Sequence, residues 1–156
     1  MNSLNTTDLI KLLQQFEKQN AYYLIIGGLA TNLYGYHRVT GDVYLYLKDS
    51  VENRKNLITA LEQAGYGRFD SLLTTQMIPG YCEIMMDDGI YADLMTEIPG
   101  LNKEDFDEHY NLALTENVDG VTVRFISYDH LIQNKKATGS PKDLLDVQEL
   151  ERINKK

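Results

Sequence analysis

The chain has no tryptophan, one cysteine (Cys82) and only three prolines in 156 residues. A single cysteine excludes an internal disulfide, so stability has to come from a packed core. No apolar run approaches the ~20 residues that a membrane-spanning helix needs. The polar start, MNSLNTTD, is no signal peptide, so the expected location is cytoplasmic and away from membranes. Basic residues are also scarce. Fifteen Lys and Arg stand against 23 Asp and Glu, a net charge of −8 and a pI near 4.8. Such a surface argues against a general nucleic-acid binder, which gains affinity by releasing phosphate counterions to a basic face. Lys135-Lys136 is only a pair. The three histidines, His37, His109 and His130, lack zinc spacing and read as turn or surface residues. Cys82 reads as a strand core residue without a base near it in sequence, and no G-x-S-x-G nucleophile motif occurs.

With 43% hydrophobic and 24% charged residues, the chain has the composition of one ordinary domain over 1–156. Leu9, Leu12, Leu13 and Phe16 recur at helical spacing over residues 6–19, with Thr6 or Thr7 as cap. A second helix is expected over 51–65, capped by Ser50 and stopped at Gly65, with Leu57, Ile58 and Leu61 inside. Tyr66 to Gly80 has no clear period and ends in a Pro79-Gly80 turn. Tyr81–Met86 and Ile90–Glu97 read as strands joined through Asp88-Gly89, with the Met85-Met86 pair in the core. A short helix over Lys103–Tyr110 precedes two strands flanking Asp119-Gly120. Two helices close the chain, one from Ser127 and one with Ser140 as N-cap, Pro141 at the first helical position and Asp143 bonding back.

The most informative stretch is YYLIIGGLATNLYGYHRVTGDVYLYL, from Tyr22 to Leu47. Tyr23 to Ile26 form an apolar strand that ends at Gly27-Gly28, and Ala30 to Tyr34 can make a helical turn or two. A helix N-terminus behind two glycines suits a phosphate, because no side chain blocks approach to the backbone. On the following strand Val43, Leu45 and Leu47 share a core face, and Asp42, Tyr44 and Tyr46 the other. Further on, Tyr91, Asp93 and Met95 share one strand face. A carboxylate there marks either a solvated face or a site.

Together, GG-x-A and GY-x-R-x-T-x-D-hydrophobic resemble the nucleotidyltransferase superfamily, in the small bacterial branch near the AbiEii-like and MNT-like proteins. The resemblance covers roughly residues 22–150. It implies an α/β fold (α+β in a stricter scheme), a small mixed sheet flanked by helices. It also implies transfer of a nucleoside monophosphate from a nucleoside triphosphate to a hydroxyl with Mg2+ or Mn2+. The acceptor would be a small molecule, a protein side chain or an RNA end. By the same resemblance Asp42 and Asp93 would be catalytic and hold metal, and Gly27, Gly28, Arg38, Thr40 and Lys142 would bind substrate. Two departures stand out. The family has a second Asp where this chain has Tyr44, and usually an arginine where it has Ser140. A phenol is neutral near pH 7 and a poor magnesium ligand, so metal binding and transfer are expected to be impaired. The alternative is a non-catalytic interaction protein with a protein partner, such as one member of a toxin–antitoxin pair.

Overall fold

A computed structural model describes residues 7–155. Helix α1 (Thr7–Lys18) buries Leu9, Leu12, Leu13 and Phe16, the four residues its spacing selects. The candidate cap Thr6 lies outside the described residues. Strand β1 (Tyr23–Ile26) is buried along its whole length. It runs into α2 (Gly27–Leu33), which takes in both glycines instead of starting after them. The Thr31 hydroxyl fixes that first turn by donating to the Gly27 carbonyl at 2.9 Å. Strand β2 (Val43–Leu47) follows, then α3 (Val51–Gln63), whose N-cap Ser50 accepts from the Asn53 N–H. A 3-10 turn at Asp70–Leu73 precedes the hairpin of β3 (Glu83–Met85) and β4 (Tyr91–Met95). Another 3-10 turn, Lys103–Asp105, leads into α4 (Phe106–Asn111), then β5 (Leu114–Val118) and β6 (Val121–Phe125). Helices α5 (Tyr128–Thr138) and α6 (Pro141–Ile153) close the chain, α6 with Ser140 as cap and Pro141 at its start.

The six strands form one mixed sheet in the order β3-β4-β2-β1-β6-β5. Strand β1 runs antiparallel to β2 and parallel to β6, and β2 runs parallel to β4. Side chains alternate along a strand, so each face takes every second residue. Phe16 of α1 meets Tyr23 on one face at a ring separation of 5.4 Å. On the other face Phe106 and His109 of α4 meet Tyr46 at 5.0 and 6.0 Å. Both faces are therefore covered at this end, and Tyr46 is fully buried on the face expected to be the more polar.

Two expectations change. Met86 is buried but Met85 is 58% exposed, because neighbours in an edge strand point to opposite sides. His109 is buried rather than at the surface. Its ring lies 4.6 Å from that of His130, which helix packing brings together across 21 residues of sequence. Burial and the neighbouring His130 push the His109 imidazole below its usual range.

Asn53, on the first turn of α3, ties the sheet to that helix. Its Oδ1 accepts from the Tyr22 N–H at 2.7 Å, and its Nδ2 donates to the carbonyls of Lys48 at 2.9 Å and Tyr22 at 3.2 Å. These are the backbone groups where β1 begins and β2 ends. Replacing Asn53 with Leu removes the partners of the Tyr22 N–H and the Lys48 carbonyl in a partly buried place, while the Tyr22 carbonyl keeps the Lys48 N–H. The expected cost is about 2–4 kcal/mol in urea denaturation.

Candidate functional site

A cavity of about 350 Å3 opens where β1 meets α2. Ile26, Gly27 and Gly28 form one part of its wall, and Arg38, Thr40, Gly41, Asp42 and Tyr44 another. Opposite them stand Pro79, Met95, Ile98 and Pro99, with Asn134, Lys135, Thr138, Lys142 and Asp143 from α5 and α6. The volume lies at the lower end of the range for small-molecule sites, and the wall mixes apolar surface with a few charges as such sites do. Seven of the eight residues that the sequence singles out therefore meet at one place: Gly27, Gly28, Arg38, Thr40, Asp42, Tyr44 and Lys142.

The eighth, Asp93, sits beside the cavity but not on its wall. In the parallel β2–β4 pair Tyr44 is directly opposite Asp93, so the two share a sheet face. Asp93 is 2% exposed, which removes the solvated-face alternative. Its Oδ2 accepts from the Gly80 N–H at 2.8 Å, and its Oδ1 is buried with no hydrogen-bond partner among the described residues. Burial, helped by the charges of Glu83 and Asp42 and opposed by the Gly80 bond, pushes this carboxyl above its ordinary value. The Tyr44 phenol is also pushed up, first by burial and then by Asp42, Asp93 and Glu83, so it stays neutral.

The tyrosine ring lies against the backbone of Gly27. A Cβ on Gly27 would come within 2.7 Å of Tyr44 Cδ2, and its φ of +70° is also one that favours glycine. Thr40 does the same at the next residue, where a Cβ on Gly28 would fall 2.6 Å from its Cβ and closer still to its hydroxyl. Both glycines are thus required by side chains arriving from the turn and from β2.

The cationic side of the cavity is held by Asp146, which is 1% exposed. Arg38 grips it through both oxygens, Nε to Oδ1 at 2.9 Å and Nη2 to Oδ2 at 2.8 Å. Lys135, itself buried, donates to Asp146 Oδ2 at 2.8 Å and to Asp143 Oδ1 at 3.4 Å. Burial alone would raise the Asp146 carboxyl, but the Arg38 and Lys135 bonds outweigh it and hold it below the usual range. Ser140 fixes Asp143 by donating to its Oδ2 at 2.6 Å. Asp146 and Lys135 escaped the sequence reading as site residues. The available signal was a helical face: Asp143, Asp146, Val147 and Leu150 follow i, i+3, i+4, i+7, so the aspartates point in with the core while Leu144 and Leu145 are left about half exposed.

These residues do not fit a pair of divalent ions. Among the described residues no group of three or more His, Cys, Asp or Glu side chains could hold a metal ion. Asp42 offers one hard oxygen donor set on the cavity wall. Asp93 has one oxygen committed to Gly80 and stands off the wall, and a neutral phenol fills the place between them.

The fold is that of the nucleotidyltransferases. Over 96% of this chain and 98% of the other, it superposes on the lincosamide antibiotic adenylyltransferase LnuA in its lincomycin-bound crystal structure, with a TM-score of 0.59 and 17% identity. A nucleotidyltransferase from Thermotoga maritima, described as putative, matches with a TM-score of 0.56 and 17% identity over 94% of this chain and 88% of that one. ANT(2")-Ia, solved in complex with adenylyl-2"-tobramycin, matches at 0.55 and 19% identity over 92% and 86%. At these identities the likeness is one of fold. No family model matches the chain, and no curated protein matches it in sequence. Among the described residues no helix is long and apolar enough to cross a membrane.

The sealed Asp93 gives a signed pH prediction. A carboxyl whose folded pKa is raised contributes most below its unfolded value near pH 4, and that contribution is lost as pH rises through the folded pKa. Asn at this position can keep the Gly80 bond without titrating. Asp93→Asn should therefore be more stable than the parent at pH 7, with the gap closing towards about pH 4. Urea denaturation across that window measures it, and a gap that widens on acidification would refute the buried, proton-binding carboxyl.

Proposed function

We propose that this chain is a nucleotide-binding protein of the nucleotidyltransferase superfamily, in its small bacterial AbiEii-like and MNT-like branch, with strongly reduced transfer activity. The motif order and spacing across residues 27–42 support the branch, and the cavity with its glycine pair and cationic wall supports a nucleoside triphosphate as ligand. The chemistry of the scaffold is transfer of the nucleoside monophosphate to a hydroxyl. The observation that carries the reduced activity is the register of Tyr44 opposite Asp93, with its ring on Gly27.

The chain's own residues have definable parts in such a site. Arg38 and Lys135, fixed through Asp146, present positive charge to phosphate oxygens, and Lys142 adds a third cation from the first turn of α6. Thr40 and the backbone at Gly27 and Gly28 border the same space. Ile26, Met95, Ile98 and Pro99 supply the apolar surface against which a base or ribose can rest. Among the described residues Asp42 is the wall carboxylate that forms no salt bridge, and it is the group placed to accept a proton from an attacking hydroxyl.

The test is to return the carboxylate. Tyr44→Asp removes the ring from Gly27 and places a third carboxylate near Asp42 and Asp93, so without metal the variant should be about 1–3 kcal/mol less stable. Magnesium with a nucleoside triphosphate should recover stability by mass action. Transfer of label from an α-labelled nucleotide should rise at least about tenfold over the parent, a barrier change of about 1.4 kcal/mol. Small-molecule hydroxyls, proteins and RNA ends offered in parallel identify the acceptor. A variant that folds but shows neither effect would favour the non-catalytic interaction protein, and vigorous transfer by the parent would show the second carboxylate to be dispensable.

A further inference from the structure

Taking the nucleotide-binding reading above as its basis, we propose that this cavity binds a nucleoside phosphate without a divalent cation, its charge being met by Arg38, Lys135 and Lys142. Three observations carry this. The first is space. The Tyr44 ring packs on Gly27 closely enough that a single added Cβ would come within 2.7 Å of it. A magnesium ion needs near-octahedral oxygens at about 2.0–2.1 Å and keeps several waters, so it demands room and oxygen donors where a hydrocarbon ring lies. The second is access. Asp93 is 2% exposed, one of its oxygens is bound to the Gly80 N–H, and it contributes nothing to the cavity wall. Among the described residues Asp42 is then the only carboxylate lining the cavity on the β2 side.

The third observation is charge. Arg38 and Lys135 share Asp146, and Lys135 also meets Asp143. Lys142 is exposed at the rim, and among the described residues it forms no salt bridge. Asp146 and Asp143 pair with Arg38 and Lys135, and Asp42 also lines the cavity, so three cations meet three carboxylates and Lys142 is the cation left outside any salt bridge among the described residues. Lysine is a compact point charge suited to phosphate, and arginine presents a planar fork, so the set is chemically sufficient for a phosphate without metal. The apolar wall of Ile26, Met95, Ile98 and Pro99 selects an organic phosphate over the inorganic ion.

Free ATP carries two more negative charges than its magnesium complex. If side-chain cations alone meet the phosphates, withdrawing magnesium should leave binding unchanged or tighten it. The experiment is calorimetric titration of ATP into the full chain, once in excess EDTA and once in excess magnesium. A parallel titration with manganese alone counts free ion by electron paramagnetic resonance. The expected result is an ATP affinity in EDTA at least equal to that in magnesium, no manganese retained by the chain, and a loss of about tenfold for Lys142→Ala in both buffers. Lys142 is exposed, so that variant should fold. ATP binding about tenfold tighter in magnesium, a retained manganese ion, or full affinity in Lys142→Ala would each overturn the inference while leaving nucleotide binding intact. Silence in both ATP titrations would instead overturn the nucleotide reading, and the inference with it.

Discussion

Side chains laid flat against two glycines set the geometry of this site. At the end of β1 the chain passes directly from a fully buried strand into a helix, and the ring of Tyr44 and the side chain of Thr40 occupy the space where β-carbons of residues 27 and 28 would stand. The strands can pair at full register, Ile26 opposite Tyr44, only because those β-carbons are missing. The cavity then forms beyond the contact, between the glycine turn and the C-terminal helices. A glycine pair after a strand is ordinarily explained by a phosphate approaching the backbone. Here side-chain packing already requires both glycines, and the ring that makes Gly27 necessary also covers part of the backbone a phosphate would approach.

Asp146 plays the corresponding part on the other wall. It is a buried carboxylate from α6 that meets Arg38 from the turn before β2 and Lys135 from α5. Desolvating three charges is costly, and such a cluster adds little net stability compared with an apolar packing of the same shape. Its geometry is nonetheless demanding, since removing Asp146 would leave Arg38 unpaired and Lys135 with only the longer Asp143 contact, a loss of about 3–5 kcal/mol in comparable buried pairs. The carboxylate therefore fixes where the cations stand. Both line the cavity with little freedom, which would lower the entropy lost on binding the proposed phosphate.

The parts of this architecture that the sequence expresses are the periodic and the capped ones. Leu9, Leu12, Leu13 and Phe16 announce α1, and Ser50, Ser127 and Ser140 stand at the three helix starts with their side chains accepting as caps. Alternation along β2 and β4 was enough to place Tyr44 and Asp93 on one face. Alternation cannot say which residue of a face is roofed over. Asp93 is closed off by the Gly80 N–H, thirteen residues earlier in a segment with no period, and nothing local to Asp93 encodes that contact. His109 and Asp146 were missed for a related reason. Each is buried by an element distant in sequence, and a polar residue satisfied by a distant partner looks locally like a surface residue. Tyr44 was visible as a departure because a motif defined what should stand there, whereas its contact with Gly27 depended on the pairing of two strands.

The carboxylate side and the cationic side of the cavity draw largely on different elements. Asp42, Tyr44 and Asp93 lie on or beside two paired strands of the sheet, while Arg38, Lys135 and Lys142 are organised by the turn before β2 and by α5 and α6. A tyrosine in β2 alters the first set by filling space and neutralising a position. It leaves the Asp146 cluster untouched, because that cluster takes its order from helix packing and its own hydrogen bonds. Metal binding depends steeply on the number of hard oxygen donors in one place, so a single substitution on the strand can abolish it. Anion binding by cations spread over three elements declines only in steps. On the proposed reading, a nucleotidyltransferase fold with Tyr44 at this strand position keeps the cationic side of its site while the carboxylate side is too sparse to hold a metal ion.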